Sequence, residues 1–440
     1  MEENAERQAD VVSQIERDGI KTVRLLLPDL HGVARAKQVA ADYFAGIVST
    51  GHGWATPLLS VDLLQDYDHT RTIPMDNGVV IPDMSTFSVL PWRPTTAHVI
   101  CDFVKDGVPA LTTRLALQRV EAAVRSQGYT PSLGNELEFY VYKDGEDGFA
   151  PEIGTREWFT DLALAKLAPF FDDLYAYLPA LGIQVYEIFN EQGGGQVEAN
   201  LLPGAPLATV DQVFVMKAAI KEIATHHGMR ATFMTKPSNS AETVTSGYHL
   251  HQTLLDGAGA NLFLDSREGK RFSALGFQYL AGQLEHAPAL TAIAAQTITA
   301  YKRFRHGTYA PVNASWRDGD RGSLARVILA DENTRIENRL GASDANPYLL
   351  AASQLAAGLD GIQKAMTAPP AESDEDSHSD AAPLPENLTD AARALAADVV
   401  IREALGSHLV GEYCAMLHHV ARRFQEWVTD WEIAEYREVL

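Results

Sequence analysis

Cysteine is almost absent from the 440-residue sequence, which contains only Cys101 and Cys414. Two cysteines this far apart provide neither a framework of disulfide bridges nor the closely spaced ligands of a zinc site. The first residues, MEENAERQADV, are polar and lack the apolar segment of a signal peptide. Since disulfides form mainly in oxidising compartments, we expect both thiols to be reduced and the protein to be cytoplasmic.

Positive charge and long apolar runs are also scarce. The chain has 36 Lys and Arg against 58 Asp and Glu, which gives a formal net charge of −22. Nucleic-acid binding requires clustered Lys and Arg that neutralise phosphates, so this balance argues against a nucleic-acid partner. No stretch reaches the roughly 18 consecutive apolar residues of a membrane span, and we predict no membrane association.

The remaining composition is typical of a globular protein with more than one domain. Hydrophobic residues make up 46% and charged residues 21%, and a chain of this length usually divides. Short apolar runs separated by proline and glycine fill residues 10–105, with a hairpin predicted around 28–32. We expect a small β-rich domain over residues 1–108 and a larger α+β domain over 109–440.

The larger domain alternates predicted helices with strands that carry charged side chains. Residues 112–128 and about 210–227 predict helices, and the strand RATFMT follows the second of them. Periodicity and length predict further helices at 276–297 and 346–366, and two or three in the last fifty residues. The acidic stretch at 369–383 predicts a solvated loop.

Two carboxylates stand one residue apart in the strand-like run GNELEFYVY. Because side chains alternate sides along a strand, Glu136 and Glu138 point to the same face. Like charges held this close raise each other's pKa, so a positive partner is expected between them. A second strand candidate, GYHLHQTLLD, carries His249 and His251 at the same spacing.

Several acids and imidazoles occupy strand positions that are usually apolar. A single such Glu is more often a solvated residue, and a single buried His is more often a hydrogen-bonded core residue than a ligand. Five Glu and a His together favour hard divalent cations, which take oxygen ligands and accept an imidazole. We predict a pair of divalent ions about 4 Å apart, held by Glu136, Glu138, Glu191, Glu198, His249 and Glu337.

Arginines in three further segments complete the pattern. They alternate with Gly, Pro and apolar residues, unlike arginines of ordinary surface salt bridges. The guanidinium fork binds carboxylate or phosphate through two hydrogen bonds, so these segments predict an anionic substrate beside the metals. The arginines are Arg303, Arg305, Arg321, Arg326, Arg335 and Arg339.

The ordered motifs ELEF, NEQGGGQVE, TFMTKP, SGYHLHQT, YKR, TRIENR and NPYLLAA resemble those of glutamine synthetases. The resemblance extends to VTDWEIAEY and so covers almost the whole chain. It implies a small β-grasp-like N-terminal domain and a catalytic domain built on an antiparallel half-barrel with helices. It also implies hexameric rings, usually stacked as a dodecamer, with a neighbouring N-terminal domain lining each active site.

The resemblance further implies a role for each matched residue. Glu138, Glu191 and Glu198 would hold one ion, and Glu136, His249 and Glu337 a second, with two or three Mg²⁺ or Mn²⁺ per site. The chemistry would be activation of glutamate by ATP as γ-glutamyl phosphate, followed by attack of an amine. The remaining implied roles are glutamate binding by Arg303, Arg339 and Glu138, catalysis by Arg321 and Arg339, and nucleotide binding by His251, Arg326, Arg335 and Lys236. At two positions that do not match the family, we expect Thr245 to contact the acid substrate and Tyr309 to take part in catalysis.

The sequence departs from the family where ammonia would bind. The position six residues after the YKR arginine is a glutamate in ammonia-using enzymes and is Tyr309 here. Those enzymes also place an aspartate in the N-terminal domain, but none lies between Ser49 and Leu59. A site without both carboxylates should bind ammonium poorly, so Tyr309, with Trp54 placed near it, favours an organic amine, either an arylamine or an alkylamine.

A second departure concerns the acid. The Asn-Gly pair that contacts glutamate in synthetases is Val244–Thr245 here, and the extra side chains could crowd the amino end of the substrate. Glutamate remains the favoured acid because Arg303 and Arg339 are present, and another carboxylic acid stays open.

Three rival functions remain at this stage. The first is a glutamine synthetase that uses ammonia, in which another residue replaces the missing carboxylates. The second is a phosphotransferase of the guanidino-kinase type, which would release a stable phosphorylated product. The third is a non-catalytic structural relative, which the presence of all six metal-ligand positions disfavours.

Overall fold

A computed structural model gives the positions of most of the chain. The residues that it does not describe are 1, 67–75, 110–111, 146–147, 241–242, 268–270, 306–307 and 373–380, together with the side chains of 2–6 and 109. The centre of the predicted acidic loop lies outside the described residues. In the described part of the chain, no helix is long and apolar enough to cross a membrane.

Seven strands near the N-terminus form a first sheet. Its order is β2-β1-β6-β4-β3, and β5 and β7 also pair with β6. β1 is antiparallel to β2 and parallel to β6, so the hairpin predicted around residues 28–32 is confirmed. The strands are β1 (Thr22–Pro28), β2 (Ala34–Ala40), β3 (His52–Ala55), β4 (Asn77–Pro82), β5 (Ser88–Val89), β6 (Thr96–Lys105) and β7 (Val108–Pro109).

Two helices in this region are absent from the sequence-based prediction of strands and turns. They are α1 (Glu2–Arg17) and α2 (Ala41–Thr50). Among its described side chains α1 buries only Val11 and Ile15, and α2 begins without a capping side chain. Their buried residues follow helical spacing, but α2 lacks the capping side chain that marks the start of a helix in a sequence.

Eight strands form a second, curled sheet. Its order is β13-β14-β15-β12-β8-β10-β9, with β11 also paired to β8. Only β13 and β14 pair in parallel among the described strands of this sheet. The predicted α+β fold with an antiparallel half-barrel is confirmed, whereas the β-grasp-like detail stays a prediction. The strands are β8 (Thr130–Tyr142), β9 (Val185–Asn190), β10 (Gln196–Leu201), β11 (Arg230–Thr232), β12 (Tyr248–Leu255), β13 (Trp316–Asp318), β14 (Ala325–Ile328) and β15 (Arg335–Asn338).

Ten helices described after β7 accompany the second sheet. The helix predicted from residue 112 is α3, and Thr112 caps its first turn through the Leu115 amide at 3.3 Å. The segment 276–297 forms two helices rather than one, because Pro288 lacks the amide proton that a continuous helix would need. The helices are α3 (Thr113–Ser126), α4 (Asp161–Ala180), α5 (Pro206–His226), α6 (Ala274–Glu285), α7 (Ala287–Ala294), α8 (Pro347–Gln363), α9 (Leu388–Ala397), α10 (Val399–Leu405), α11 (Ser407–Glu426) and α12 (Asp430–Tyr436).

Buried apolar residues fall into two large clusters. The smaller cluster surrounds the first sheet, and the larger lies between the second sheet and its helices. Leu26, Leu30, Leu90 and Ile100 from the N-terminal region belong to the larger cluster, so the two regions pack on each other. The division at residue 108 stays a prediction. Both cysteines are buried and unpaired.

Arg114 connects the two regions through a buried ion cluster. Its guanidinium is 1% exposed and donates to Asp211 at 2.7 Å and 2.9 Å. It also reaches Asp83 and Asp102, which follow or belong to strands of the first sheet, at 2.7 Å and 2.9 Å. The Tyr348 hydroxyl donates to the same Asp211 carboxylate at 2.7 Å. One cation thus offsets three carboxylates at the junction.

Removal of this cation should destabilise the protein strongly. Arg114→Met leaves three carboxylates without their partner, and we expect the free energy of unfolding to fall by about 3–5 kcal/mol. Arg119→Met on the same helix is the matched control, because Arg119 is exposed and forms no ion pair with any described residue. A surface substitution of that kind changes the free energy of unfolding by about 0.5 kcal/mol or less. Urea unfolding of both variants measures the difference, and equal losses would contradict the assignment.

Candidate active site

Alternation along β8 separates the carboxylates from the core. Leu137, Phe139 and Val141 point towards the helices and belong to the larger apolar cluster. Glu136 and Glu138 point to the opposite face and line a cavity. The strand therefore carries two acids on one side because its other side supplies the buried apolar surface.

Strand register brings the other predicted ligands to the same face. Glu198 on β10 lies opposite Glu138, and His249 on β12 lies opposite Glu136. Glu337 on β15 lies opposite His251. Four neighbouring strands thus place acids and imidazoles side by side, within reach of one another.

Glu136 is at the centre of this arrangement. Its Oε1 lies 2.6 Å from His249 Nδ1, and its Oε2 lies 3.1 Å from His251 Nε2. His249 Nδ1 is also 3.7 Å from Glu337 Oε1. Two groups have ligand atoms within 4.8 Å of one another, one of Glu136, Glu138 and His249 and the other of Glu136, His251 and Glu337.

These groupings differ from the predicted ligand sets in two respects: they include His251, and they contain neither Glu191 nor Glu198. His251, which we assigned to the nucleotide, lies 3.1 Å from Glu136, closer than the 3.7 Å between His249 and Glu337. Glu191 and Glu198 line the same cavity as Glu138, but each is held by a local hydrogen bond. Glu191 accepts from the Gln192 amide at 2.9 Å, and Glu198 from Asn200 Nδ2 at 2.9 Å.

The charges of the cavity are unbalanced. Burial, together with the charges of Glu136 and Glu138, raises the pKa of Glu198 to about 10. Burial and the charge of Glu138 raise the pKa of Glu191 to about 7. At neutral pH Glu198 therefore holds its proton and Glu191 is about half protonated, because several acids share a poorly hydrated space. A divalent cation would allow them to ionise.

The donor set fits such a cation. Burial and the neighbouring Arg339 lower the pKa of His249 to about 4, so its imidazole is neutral and able to act as a ligand. Arg303 Nη2 lies 2.9 Å from His249 Nε2, and Nδ1 of the same ring faces Glu136. Carboxylate oxygens with one or two neutral imidazoles are a donor set for a divalent cation.

Metal binding should therefore release protons. A divalent ion binds the ionised carboxylates, so we expect about one to two protons to leave per site at pH 7 and apparent affinity to rise as the pH approaches 10, the raised pKa of Glu198. The raised pKa also makes the metal-free protein less stable as pH increases from about 4.5 towards 10. Mg²⁺ titration calorimetry in buffers of different ionisation enthalpy measures the protons. Glu198→Gln should release fewer, and an unchanged count would contradict the shift.

Two of the six arginines, Arg303 and Arg339, are buried at the floor of the site. Arg303 is 3% exposed, and its Nη2 also donates to the Arg339 carbonyl at 2.9 Å. The Nε of Arg303 is buried without a hydrogen-bond partner among the described residues. Burial lowers the pKa of Arg303 to about 10, so the group stays charged at neutral pH. An orphaned, charged donor of this kind suits a carboxylate ligand.

Three of the arginines contact the acid cluster or its histidine, and Arg321 contacts Arg339. Arg326 Nη1 donates to Glu337 at 2.8 Å, and Arg335 Nε donates to His251 Nδ1 at 3.1 Å. Arg339 pairs with the second oxygen of Glu337. Arg321 is exposed, and its carbonyl accepts from Arg339 Nε at 2.9 Å.

Two cavities meet at the acid cluster, and Glu136, Glu191, Glu198, Arg321 and Phe159 line both. The first, about 750 Å³, which we call the acid-side cavity, also contains Glu138, Thr245, His249, Arg303, Tyr309 and Arg339. The second, about 1010 Å³, which we call the Arg326 cavity, also contains His251, Arg326, Arg335, Tyr186, Asn200 and Asn333.

Two of the predicted placements do not fit this division. Lys236, which we assigned to the nucleotide, lines the acid-side cavity rather than the other. Trp54, which we placed near Tyr309, is 1% exposed in the core of the first sheet and cannot line a pocket. Thr245 does line the acid-side cavity, beside Val244, as its position in the sequence suggests.

The sequence analysis missed two aromatic residues of the site. Trp158 and Phe159 line the acid-side cavity with Tyr309, and about half of each side chain is exposed. Phe159 has a φ of +53°, which is unusual for a bulky residue and stores strain. It stacks on Phe189 with ring centroids 5.1 Å apart. Two hydrogen bonds to the Glu157 carbonyl, from Asn190 and Thr160, fix the loop.

Comparison with known proteins agrees with this geometry. Residues 110–436 match the glutamine synthetase catalytic domain. A glutamine synthetase from Halobacterium salinarum is 32% identical over 450 residues, which cover 97% of this chain and 96% of that one. A glutamate–isopropylamine ligase from a Pseudomonas species is 31% identical over 465 residues, which cover 100% of both.

Solved structures give the same answer for the fold. A GmaS–ADP complex has a TM-score of 0.87 and 29% identity to this chain, covering 97% of this chain and 99% of that one. The relative named glutamine synthetase and the relative named glutamate–isopropylamine ligase are thus about equally similar to this chain, and overall identity does not choose between the two activities. The chain belongs to the glutamine synthetase family and is a ligase of that family.

Proposed function

We propose that the protein joins the γ-carboxylate of glutamate to an organic amine at the expense of ATP. The γ-phosphoryl group of ATP passes to the γ-carboxylate and forms γ-glutamyl phosphate and ADP. The amine nitrogen then attacks the acyl carbon, phosphate leaves, and the nitrogen loses a proton to give the amide. The observation that carries the choice of amine is the aromatic wall formed by Tyr309, Trp158 and Phe159.

The acid substrate would bind at the floor of the acid-side cavity. Arg303 offers an unpartnered Nε to the α-carboxylate of glutamate, and the proposed role of Arg339 is to hold the acyl phosphate. Thr245 lies on the same wall and limits the space around the amino group. Glu138, whose Oε2 accepts from the Gly247 amide at 2.9 Å, keeps a second oxygen for an ion or an ammonium group.

ATP would occupy the Arg326 cavity, whose volume of about 1010 Å³ suits a nucleotide. Arg326 and Arg335 are placed to neutralise phosphate oxygens there, and Arg321 borders both cavities where the phosphoryl group would cross. Two or three Mg²⁺ or Mn²⁺, when bound by the Glu and His ligands, would supply positive charge to the transferring phosphoryl group. His251 lies between Glu136 and Arg335 and orients both.

The aromatic wall supports an organic amine rather than ammonia. The acid-side cavity has aromatic rings at Tyr309, Trp158 and Phe159, and these offer apolar surface and π faces to an alkyl or aryl group. Ammonium has no apolar part to bury there. Arylamines are neutral at pH 7, whereas an alkylammonium ion would have to lose a proton before attack.

Glutamine synthesis from ammonia is the second candidate. Glu191 lines the cavity with a pKa near 7, and in the metal-free protein it is suited to take a proton from ammonium.

Assembly into hexameric rings or a dodecamer, and a cytoplasmic location, remain predictions.

Phosphate release from ATP with Mg²⁺, glutamate and a panel of amines tests the proposal. The panel contains ammonium, ethanolamine, putrescine, isopropylamine and aniline, and mass spectrometry identifies the products. We expect a γ-glutamyl adduct of at least one organic amine, with ammonium near background. Glutamine as the main product would establish the second candidate instead, and a stable phosphorylated product without amide would indicate a phosphotransferase.

A further inference from the structure

A basic pocket of about 530 Å³ opens beside the acid-side cavity. The two are continuous, because Lys236, Asn239 and Arg305 line both of them. Ile298, Tyr301 and Lys302 complete the pocket. We call the three cations Lys236, Lys302 and Arg305 the vestibule.

The chain brings the vestibule together through one tight turn. Lys302 ends a short 3-10 helix, and the amides of Arg303 and Arg305 donate to carbonyls three and two residues earlier. This turn buries Arg303 in the catalytic cavity while Lys302 and Arg305 stay exposed at its mouth. Of the three cations in the five-residue segment 301–305, Arg303 thus lies at the floor of the site, and Lys302 and Arg305 lie at its entrance.

No carboxylate in the described part of the chain pairs with the vestibule. The ammonium of Lys236 donates to backbone carbonyls of Ser240, at 3.2 Å, and Thr243. Lys302 and Arg305 make no side-chain hydrogen bond or ion pair with any described residue. Burial and the charges of Arg305 and Lys302 lower the pKa of Lys236, so its ammonium lies close enough to both cations to be disfavoured by them.

An unpaired cationic cluster is unusual on a chain with a net charge of −22. Surface lysines and arginines are normally solvated singly or paired with acids, and such a protein has an excess of acids to pair with. The excess negative charge also repels anionic substrates at long range. A local positive entrance counteracts this repulsion and raises the rate of capture.

We propose that the vestibule binds the carboxylate of a small organic acid at the entrance of the acid-side cavity. The proposal rests on the function proposed above, and it adds a binding site outside the floor arginines. The carboxylate has two possible sources, the acid substrate on its way to Arg303 or a nucleophilic amine that itself carries a carboxylate. Guanidinium and ammonium groups recognise both sources in the same way.

A binding measurement tests the vestibule without relying on catalysis. Glutarate serves as the probe, with calorimetric titration of the full-length wild type, a Lys302→Gln/Arg305→Ala variant and an Arg119→Ala control. Arg119 is an exposed arginine on α3. We expect Kd for glutarate to rise about fivefold to tenfold in the double variant only, with the difference shrinking between about 20 mM and about 300 mM salt. Equal Kd values in all three proteins would overturn the proposal.

Kinetics then identify the source of the carboxylate. If KM for glutamate rises in the double variant with every amine, the vestibule serves the acid substrate. If KM rises only for β-alanine and not for isopropylamine, it serves an acidic nucleophile. A wild type that binds glutarate through the vestibule but ligates no amine would overturn the proposed function and leave the site standing.

Discussion

Glu136→Gln is expected to lower kcat/KM for amide formation by at least about 10³-fold. Glu136 belongs to both groups of possible metal ligands, with its two oxygens next to His249 and His251. The amide keeps the size of the side chain but removes the charge and one of the oxygen ligands. Both ions should therefore be weakened at once. Steady-state phosphate release over a range of Mg²⁺ concentrations measures the loss.

The metal dependence separates this effect from simple misfolding. In the wild type, Mg²⁺ should raise the melting temperature because it binds only the folded state, and the shift should nearly vanish in Glu136→Gln. Glu285→Gln, an exposed substitution of the same type at the end of α6, should keep both the shift and the activity. An unchanged Mg²⁺ shift in Glu136→Gln would mean that this carboxylate is not a ligand.

Tyr309→Glu is expected to reverse the preference between organic amine and ammonium. The side chain of Tyr309 is 63% exposed at the acid-side cavity, so a glutamate fits without repacking the core. It would add the negative charge that binds ammonium and accepts its proton, and it would remove a ring that packs on an organic amine. We expect the ratio of kcat/KM for the best organic amine over ammonium to fall about 10²-fold.

Tyr309→Phe is the matched control for that experiment. It keeps the ring and removes only the hydroxyl, so the ratio should change by less than about threefold if the ring provides the selectivity. A large loss of rate with alkylamines alone would instead assign proton transfer to the hydroxyl. If Tyr309→Glu leaves the ratio unchanged, the side chain at this position does not select the amine.

The sequence predicts the acid cluster well because strand alternation is a local rule. The two-residue spacing in GNELEFYVY and GYHLHQTLLD places acids and imidazoles on one face, and β8 and β12 keep that spacing. The pairing of His249 with Glu136 and of His251 with Glu337 depends on register between distant strands. A single sequence contains no direct signal for register, so the neighbour of His251 could not be predicted.

The aromatic wall could not be predicted for a different reason. Trp158 and Phe159 lie in a loop where no periodicity identifies the face that they present, and the left-handed backbone of Phe159 accompanies a ring contact with Phe189, which is distant in sequence. A consecutive aromatic pair just before a helix was the only local signal. The cavity that Lys236 lines could not be predicted either, because its motif fixes its neighbours in the chain and not the direction of its side chain.

The central claim, an organic amine as the nucleophile, is tested most directly by competition in one reaction. The wild-type protein receives ATP, Mg²⁺, glutamate, a saturating organic amine from the panel and a molar excess of ¹⁵N-ammonium, and mass spectrometry quantifies both amides. We predict that the γ-glutamyl adduct of the organic amine dominates despite the excess of ammonium. A product that is mainly ¹⁵N-glutamine would contradict the claim and identify the protein as an ammonia-dependent synthetase.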